Sequence, residues 1–156
     1  MVQEGKAAQV QEGKAAPDFE LSSDSGETVR LSSFRGSPVV LYFYPKSDTP
    51  GCTRQACGIR DVYGEFQARG AVVLGVSADK QEAQAKFKSK YGLPFPVLAD
   101  PDHEAGKLYG VEKDDSRYFE RSTFIIDSEG NVAKIMRRVS PDDHADKVLS
   151  ELEAAA

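Results

Sequence analysis

The chain is poor in the features that mark specialised architectures. Its 156 residues contain two cysteines and two histidines. Two thiols are too few for the disulfide scaffold of a small secreted domain. No uninterrupted apolar stretch approaches the ~20 residues that a membrane-spanning helix needs. Met1–Gln9 is largely polar and lacks the apolar segment of a secretory signal. The expectation is a cytoplasmic protein in a reducing compartment. Positive charge is also not in excess: 20 Lys+Arg stand against 25 Asp+Glu, a net charge of −5. That balance argues against non-specific nucleic-acid binding, which needs a basic surface. What is present is a 40% apolar chain of a length that buries roughly two-thirds of its unfolded surface. In a reducing compartment a cysteine pair is metal-binding or catalytic more often than structural, so the question narrows to Cys52 and Cys57.

The N-terminus holds a tandem octet, Val2–Gln9 followed by Val10–Pro17, identical but for the last residue. One duplication is too little for a repeat architecture. Val2–Gln9 is therefore expected to be dispensable and mobile, with residues 10–156 forming one domain.

Two apolar runs, Val39–Tyr44 and Ala71–Ser77, are short and rich in β-branched or aromatic residues. They are apolar at consecutive positions, as in parallel strands buried on both faces. Between them Ile59, Val62, Tyr63 and Phe66 fall at i, i+3, i+4 and i+7, one face of a helix. Strand, helix, strand makes a right-handed βαβ unit. A second helix is expected over Lys80–Tyr91, with Ala83, Phe87 and Tyr91 on one face and Gly92 ending it. Pro94 and Pro96 bracket an extended piece toward Leu98, and Asp102 is placed to cap a short helix to Tyr109. Ser122–Ile126 and Val132–Arg138 read as a hairpin, as do Phe19–Leu21 and Thr28–Leu31 around Ser25 and Gly26. A last helix starts near Pro141 with Ala145, Val148, Leu149 and Leu152 on its buried stripe. The sum is an α/β chain with a mixed central sheet and helices on both faces, a thioredoxin-like architecture.

Cys52 follows a buried strand, near the carboxyl ends where α/β folds place their chemistry. Thr49 then Pro50 reads as an N-cap hydroxyl followed by proline at N1. Cys52 then falls in the first helical turn, where free N–H groups and the helix dipole favour its thiolate. Five residues along an ideal helix set two Cα atoms ~8.7 Å apart, beyond the ~7 Å at which a disulfide requires backbone movement. Cys52 and Cys57 cannot pair in an intact helix, but they can if its first turns unwind. Gly51 and Gly58 flank the stretch and lower the cost of melting it.

Other readings stay open at this level. Buried cysteines are often inert packing, although Pro-Gly-Cys at a helix start is a poor packing site. A zinc site would have to recruit His103 and His144, and C-x4-C is not a common ligand spacing. The two histidines are expected on solvated helix surfaces. Asp114 with Asp115, and Arg137 with Arg138, read as ordinary solvated charge. Tyr42, Phe43 and Tyr44 read as core, with room for one ring to line a pocket.

Pro45-x-x-x-Thr49-x-x-Cys52 resembles the active-site motif of peroxiredoxins. The longer run Tyr44-Pro45-Lys46, Thr49–Thr53 and Ala56-Cys57 resembles the bacterioferritin-comigratory-protein, or peroxiredoxin Q, subfamily. The likeness runs from about Ala15 to the C-terminal helix, through Ala15–Phe19, Gly75–Asp79, Lys90–Phe95, Asp100–His103 and Arg121–Asp127, nearly the whole chain apart from the first octet. The resemblance implies a thiol peroxidase acting on hydrogen peroxide and organic hydroperoxides. Cys52 would be the peroxidatic and Cys57 the resolving cysteine, joined in an intramolecular disulfide that thioredoxin or a similar dithiol reduces. It further implies that Thr49 bonds the peroxide, Pro45 shields the pocket and Arg121 completes it. No metal, haem or flavin cofactor is implied, and a monomer is expected. Many members carry Glu three residues after the peroxidatic cysteine, where this chain has Gln55. A C-x-x-C oxidoreductase on the same fold fits the C-x4-C spacing poorly, whereas a redox sensor would use the same thiols.

Overall fold

In a computed structural model, residues 10–113 and 116–155 are described. The first octet, Asp114 and Asp115 lie outside them. Seven strands form one sheet: β1 (Glu20–Ser23), β2 (Thr28–Arg30), β3 (Val39–Phe43), β4 (Val72–Ser77), β5 (Val97–Ala99), β6 (Ser122–Ile126) and β7 (Val132–Met136). Their spatial order is β2-β1-β5-β4-β3-β6-β7. Strands β3, β4 and β5 run parallel, and the remaining pairings are antiparallel. The described residues also form five α-helices: α1 (Pro50–Asp61), α2 (Tyr63–Ala68), α3 (Gln81–Tyr91), α4 (Glu104–Leu108) and α5 (His144–Ala155).

The consecutive apolar residues of β3 serve both faces of the sheet. Val39, Leu41 and Phe43 enter one core with Leu74, Val76, Tyr109 and Phe124. Val40, Tyr42 and Tyr44 enter the other with Cys52, Ala56, Ile59, Phe87 and Val148. The second core lies beneath α1, α2, α3 and α5, and the first beneath α4. Tyr42, Phe43 and Tyr44 are all fully buried, as expected of core. No helix among the described residues is long and apolar enough to cross a membrane.

Several local expectations are revised. The single helical face through Phe66 is broken at Val62 (φ −121°, ψ 24°), whose N–H turns back to Ile59 and Arg60 and separates α1 from α2. On α3 the buried residues are Gln84 and Phe87, not Ala83 and Tyr91. Gln84 is tolerated there because every polar atom is used. Its Oε1 accepts from the Tyr44 hydroxyl (2.6 Å), and its Nε2 donates to Ser77 Oγ (2.9 Å) and the Leu98 carbonyl (2.6 Å). The helix ends as anticipated at Gly92, which is left-handed at φ 61°. Asp100, not Asp102, serves the start of α4. Its carboxylate accepts the Glu104 and Gly106 amides at 2.7 and 2.9 Å. Burial raises its pKa while those amides oppose the rise.

Candidate active site

The parallel pairing of β3 with β4 brings Phe43 level with Val76, so both strands end at the same edge. The antiparallel pairing of β3 with β6 sets Ser122 opposite Phe43, and the start of β6 reaches that edge too. Arg121, immediately before β6, is thereby delivered beside the loop that follows β3. This is how topology gathers residues distant in sequence.

That loop is held from two sides. The Ser47 amide and the Ser77 hydroxyl both donate to Asp79 Oδ2, at 2.8 and 2.6 Å. Asp48 is left-handed at φ 60°, a conformation that Asp tolerates better than most residues. Its carboxylate accepts the Tyr91 hydroxyl at 2.7 Å and the Lys90 ammonium at 3.0 Å. The hydrogen bond from Tyr91, then those from Lys90, lower its pKa. Sequence reasoning singled out neither Asp48 nor Asp79 for this role. The usable signal was their position, one before the Thr-Pro helix start and one just past the neighbouring strand.

Thr49 occupies the N-cap and Pro50 the first turn of α1, as read from sequence. The Thr49 hydroxyl does not cap, however. It donates to the Lys46 carbonyl at 2.8 Å, and the helix-starting bond runs from the Thr53 amide to the Thr49 carbonyl (2.8 Å). The hydroxyl is drawn away because the loop turns Lys46 back over the helix start.

Cys52 stands in the first turn of α1, 2% exposed. Cys57 lies farther along the same unbroken helix, half-buried, and both thiols are free. Gly51, beside Cys52, lets Arg121 approach closely: a Cβ there would sit 3.1 Å from Arg121 Nη2. The guanidinium thus rests against the helix start, where the helix dipole is also positive. Its Nη1 donates to Gln55 Oε1 at 2.7 Å. Gln55 is fully buried and so holds Arg121 by a neutral amide instead of a carboxylate. Pro45 and Arg121 share the wall of an open depression of about 660 Å³ with Glu120 and Val139. Arg54 ties α1 to the approach of α5 through Asp142 (2.7 Å); both are exposed, so this pair adds little stability.

The structure overturns the solvated placement of both histidines. His103 lies against Phe119 with ring centroids 4.9 Å apart and bonds Glu112 at 2.7 Å. His144 is 1% exposed, pairs through Nε2 with Thr123 Oγ1 at 2.6 Å, and sits 5.6 Å from the Tyr42 ring. Its burial is set by strands remote in sequence, so no local pattern revealed it. Among the described residues, no three His, Cys, Asp or Glu side chains gather into a metal-holding group. Arg137 and Arg138 are both exposed, as expected of solvated charge, and the Arg137 guanidinium lies 5.4 Å from the Phe124 ring centroid.

Burial, reinforced by the Arg121 charge, lowers the His144 pKa from 6.5 to about 4. Above pH 6.5 the imidazole is neutral in both states and carries no pH-linked penalty. As pH falls from 6.5 toward 4, the unfolded chain takes up a proton that the folded chain refuses, so stability is lost. The expected loss is about 3 kcal/mol across that window. Urea unfolding at pH 7 and pH 4.5 should show a steeper decline for wild type than for His144→Gln. Equal slopes would mean that His144 does not titrate in this way.

Residues 12–135 match the AhpC/TSA family model. Peroxiredoxin Bcp of Bacillus subtilis is 46% identical over 147 residues, covering 90% of this chain and 94% of that one. The chloroplastic peroxiredoxin Q of Populus jackii is 41% identical over 149 residues, covering 94% and 70%. The solved bacterioferritin comigratory protein of Xanthomonas campestris superposes with a TM-score of 0.88 at 34% identity, covering 94% of this chain and 100% of that one. With a thioredoxin-like sheet, a cysteine at the start of its first helix and this likeness along nearly its whole length, the chain belongs to the AhpC/TSA family and is a peroxiredoxin of the Bcp/peroxiredoxin Q group, a peroxidase.

Proposed function

We propose that the chain reduces hydrogen peroxide and organic hydroperoxides through Cys52, resolves the oxidised sulfur with Cys57, and is recycled by thioredoxin or a similar dithiol. The observation that carries the reading is that two free thiols share one continuous helix, one of them buried in its first turn beside a guanidinium.

The Cys52 thiolate attacks one peroxide oxygen. An S–O bond forms, the O–O bond breaks, and its electron pair leaves on the other oxygen, which takes a proton to become water or an alcohol. Cys52 is left as a sulfenic acid. Negative charge grows on the leaving oxygen, and Arg121 faces that charge with Nη2 while Gln55 holds Nη1. The single Thr49 hydroxyl proton is committed to Lys46, so its lone pairs accept the peroxide hydrogen. Pro45 lines the mouth and brings no N–H of its own to compete.

Resolution needs movement. In an ideal helix the two Cα atoms stand ~8.7 Å apart, so α1 unwinds at its start before Cys57 reaches the sulfenic sulfur. An S–S bond then forms, the S–O bond breaks, and hydroxide leaves with the Cys57 proton as water. An external dithiol reduces the disulfide by exchange through a mixed disulfide. Pairing within one chain requires no second subunit, in keeping with a monomer, and a reducing cytoplasm supplies the dithiol. The X. campestris relative, described for alkyl peroxide reduction, supports organic hydroperoxides as substrates.

The test is hydroperoxide consumption coupled to thioredoxin, thioredoxin reductase and NADPH. Many turnovers per chain are expected, with an internal Cys52–Cys57 crosslink on peptide mapping of oxidised protein. A single slow oxidation without turnover would instead mark a sensor.

A further inference from the structure

Four buried side-chain polar atoms among the described residues lack a hydrogen-bond partner, and three of them belong to one neighbourhood: Tyr42 Oη, Gln55 Nε2 and His144 Nδ1. Gln55 is on α1. Tyr42 is on the sheet face that α1 covers, in the same packed cluster as Cys52 and Ala56. His144 opens α5, which packs against α1, and its ring lies over Tyr42. None of the three can easily turn to find a partner. Arg121 fixes the Gln55 amide by donating to its oxygen, and Thr123 fixes the His144 ring through Nε2. Tyr42 is pressed against Gly75, where a Cβ would stand 3.0 Å from its hydroxyl oxygen. Tyr44, two positions along the same face, is the contrast: its hydroxyl is satisfied by Gln84.

A buried donor or acceptor without a partner is costly only while water is kept from it. Tyr42 is buried in the cluster that Cys52, Ala56 and Ile59 of α1 help to form, and Gln55 is buried on α1 itself, so the helix is part of what keeps water from both. The intact helix therefore carries a penalty that its own unwinding relieves.

We propose that Tyr42, with Gln55 and His144, strains the cover of α1 and so lowers the cost of opening the helix that brings Cys57 to Cys52. Tyr42 acts through the helix, not on the peroxide. The consequence is a shorter-lived sulfenic acid, with less time to be overoxidised to sulfinic acid. This inference rests on the preceding reading that α1 must open for the disulfide to form, yet the opening itself is measurable without any peroxide.

The experiment compares reduced wild type, Tyr42→Phe and Tyr44→Phe. Amide hydrogen exchange over residues 56–59 reports the opening equilibrium of α1. In Tyr42→Phe exchange slows by roughly tenfold, the effect of removing one unsatisfied buried group. After one equivalent of hydrogen peroxide, disulfide formation slows by a similar factor while sulfenic acid forms at the wild-type rate. Tyr44→Phe leaves Gln84 without a donor and slows neither. Unchanged or faster exchange in Tyr42→Phe, equal slowing in Tyr44→Phe, or a general loss of stability in Tyr42→Phe each overturns the proposal. If wild type forms no disulfide while the exchange result holds, the resolving role of Cys57 fails and the strained helix stands.

Discussion

Cys52→Ser lowers hydroperoxide consumption by on the order of 10³-fold or more, to the level of the uncatalysed reaction. The reason lies in the nucleophile. A thiol ionises far more readily than a hydroxyl, and its sulfur accepts oxygen; a serine hydroxyl stays protonated and forms no stable analogue of the sulfenic acid. Nothing else in the chain can substitute, because Cys57 is the only other thiol and lies more than one turn along α1. Serine retains the shape of the site, so Arg121, Gln55 and the loop around Asp48 stay in place. Cys52 is almost fully buried, and exchange of its sulfur for a more polar oxygen costs only about 1 kcal/mol of stability. Loss of activity with a nearly unchanged urea midpoint is the expected pair of results. Substantial residual turnover would move the nucleophile elsewhere and remove the mechanism proposed for this site.

The readiness of the sequence to yield its chemistry varied with how local each determinant was. The buried strands announced themselves through consecutive apolar residues, and β6 was bounded as the structure has it. Thr49 and Pro50 marked the start of α1 because a proline at N1 is a local preference. Arg121 was different: its place beside Gly51 follows from the β3–β6 pairing, which no spacing encodes, and only the family resemblance named it. His144 was misjudged for the same reason, since Thr123 and Tyr42 bury it from another part of the chain. The break at Val62 and the cap from Asp100 were missed because both depend on how neighbouring elements dock. Gln55 was recognised as a departure from many relatives. The structure adds what its amide does: its oxygen accepts from the Arg121 guanidinium and holds it without neutralising it.

Cys57→Ser should consume about one equivalent of peroxide per chain and then stop. The first step uses Cys52, Thr49, Pro45 and Arg121, none of which this substitution touches, so its rate should match wild type. What the variant lacks is the second sulfur. A serine at this position cannot attack the sulfenic acid, and the oxidised Cys52 remains in the first turn of a helix whose intact form almost fully covers it. External dithiols reach that sulfur poorly, so thioredoxin-coupled turnover falls by about two orders of magnitude or more, as for the loss of a chemical step. Mass spectrometry should find one added oxygen on Cys52 after one equivalent of peroxide. With excess peroxide the waiting sulfenic acid goes on to sulfinic acid, which thioredoxin does not reverse. Wild-type turnover in the variant would show that the reductant attacks Cys52 directly, and the unwinding of α1 would then have no part in the cycle.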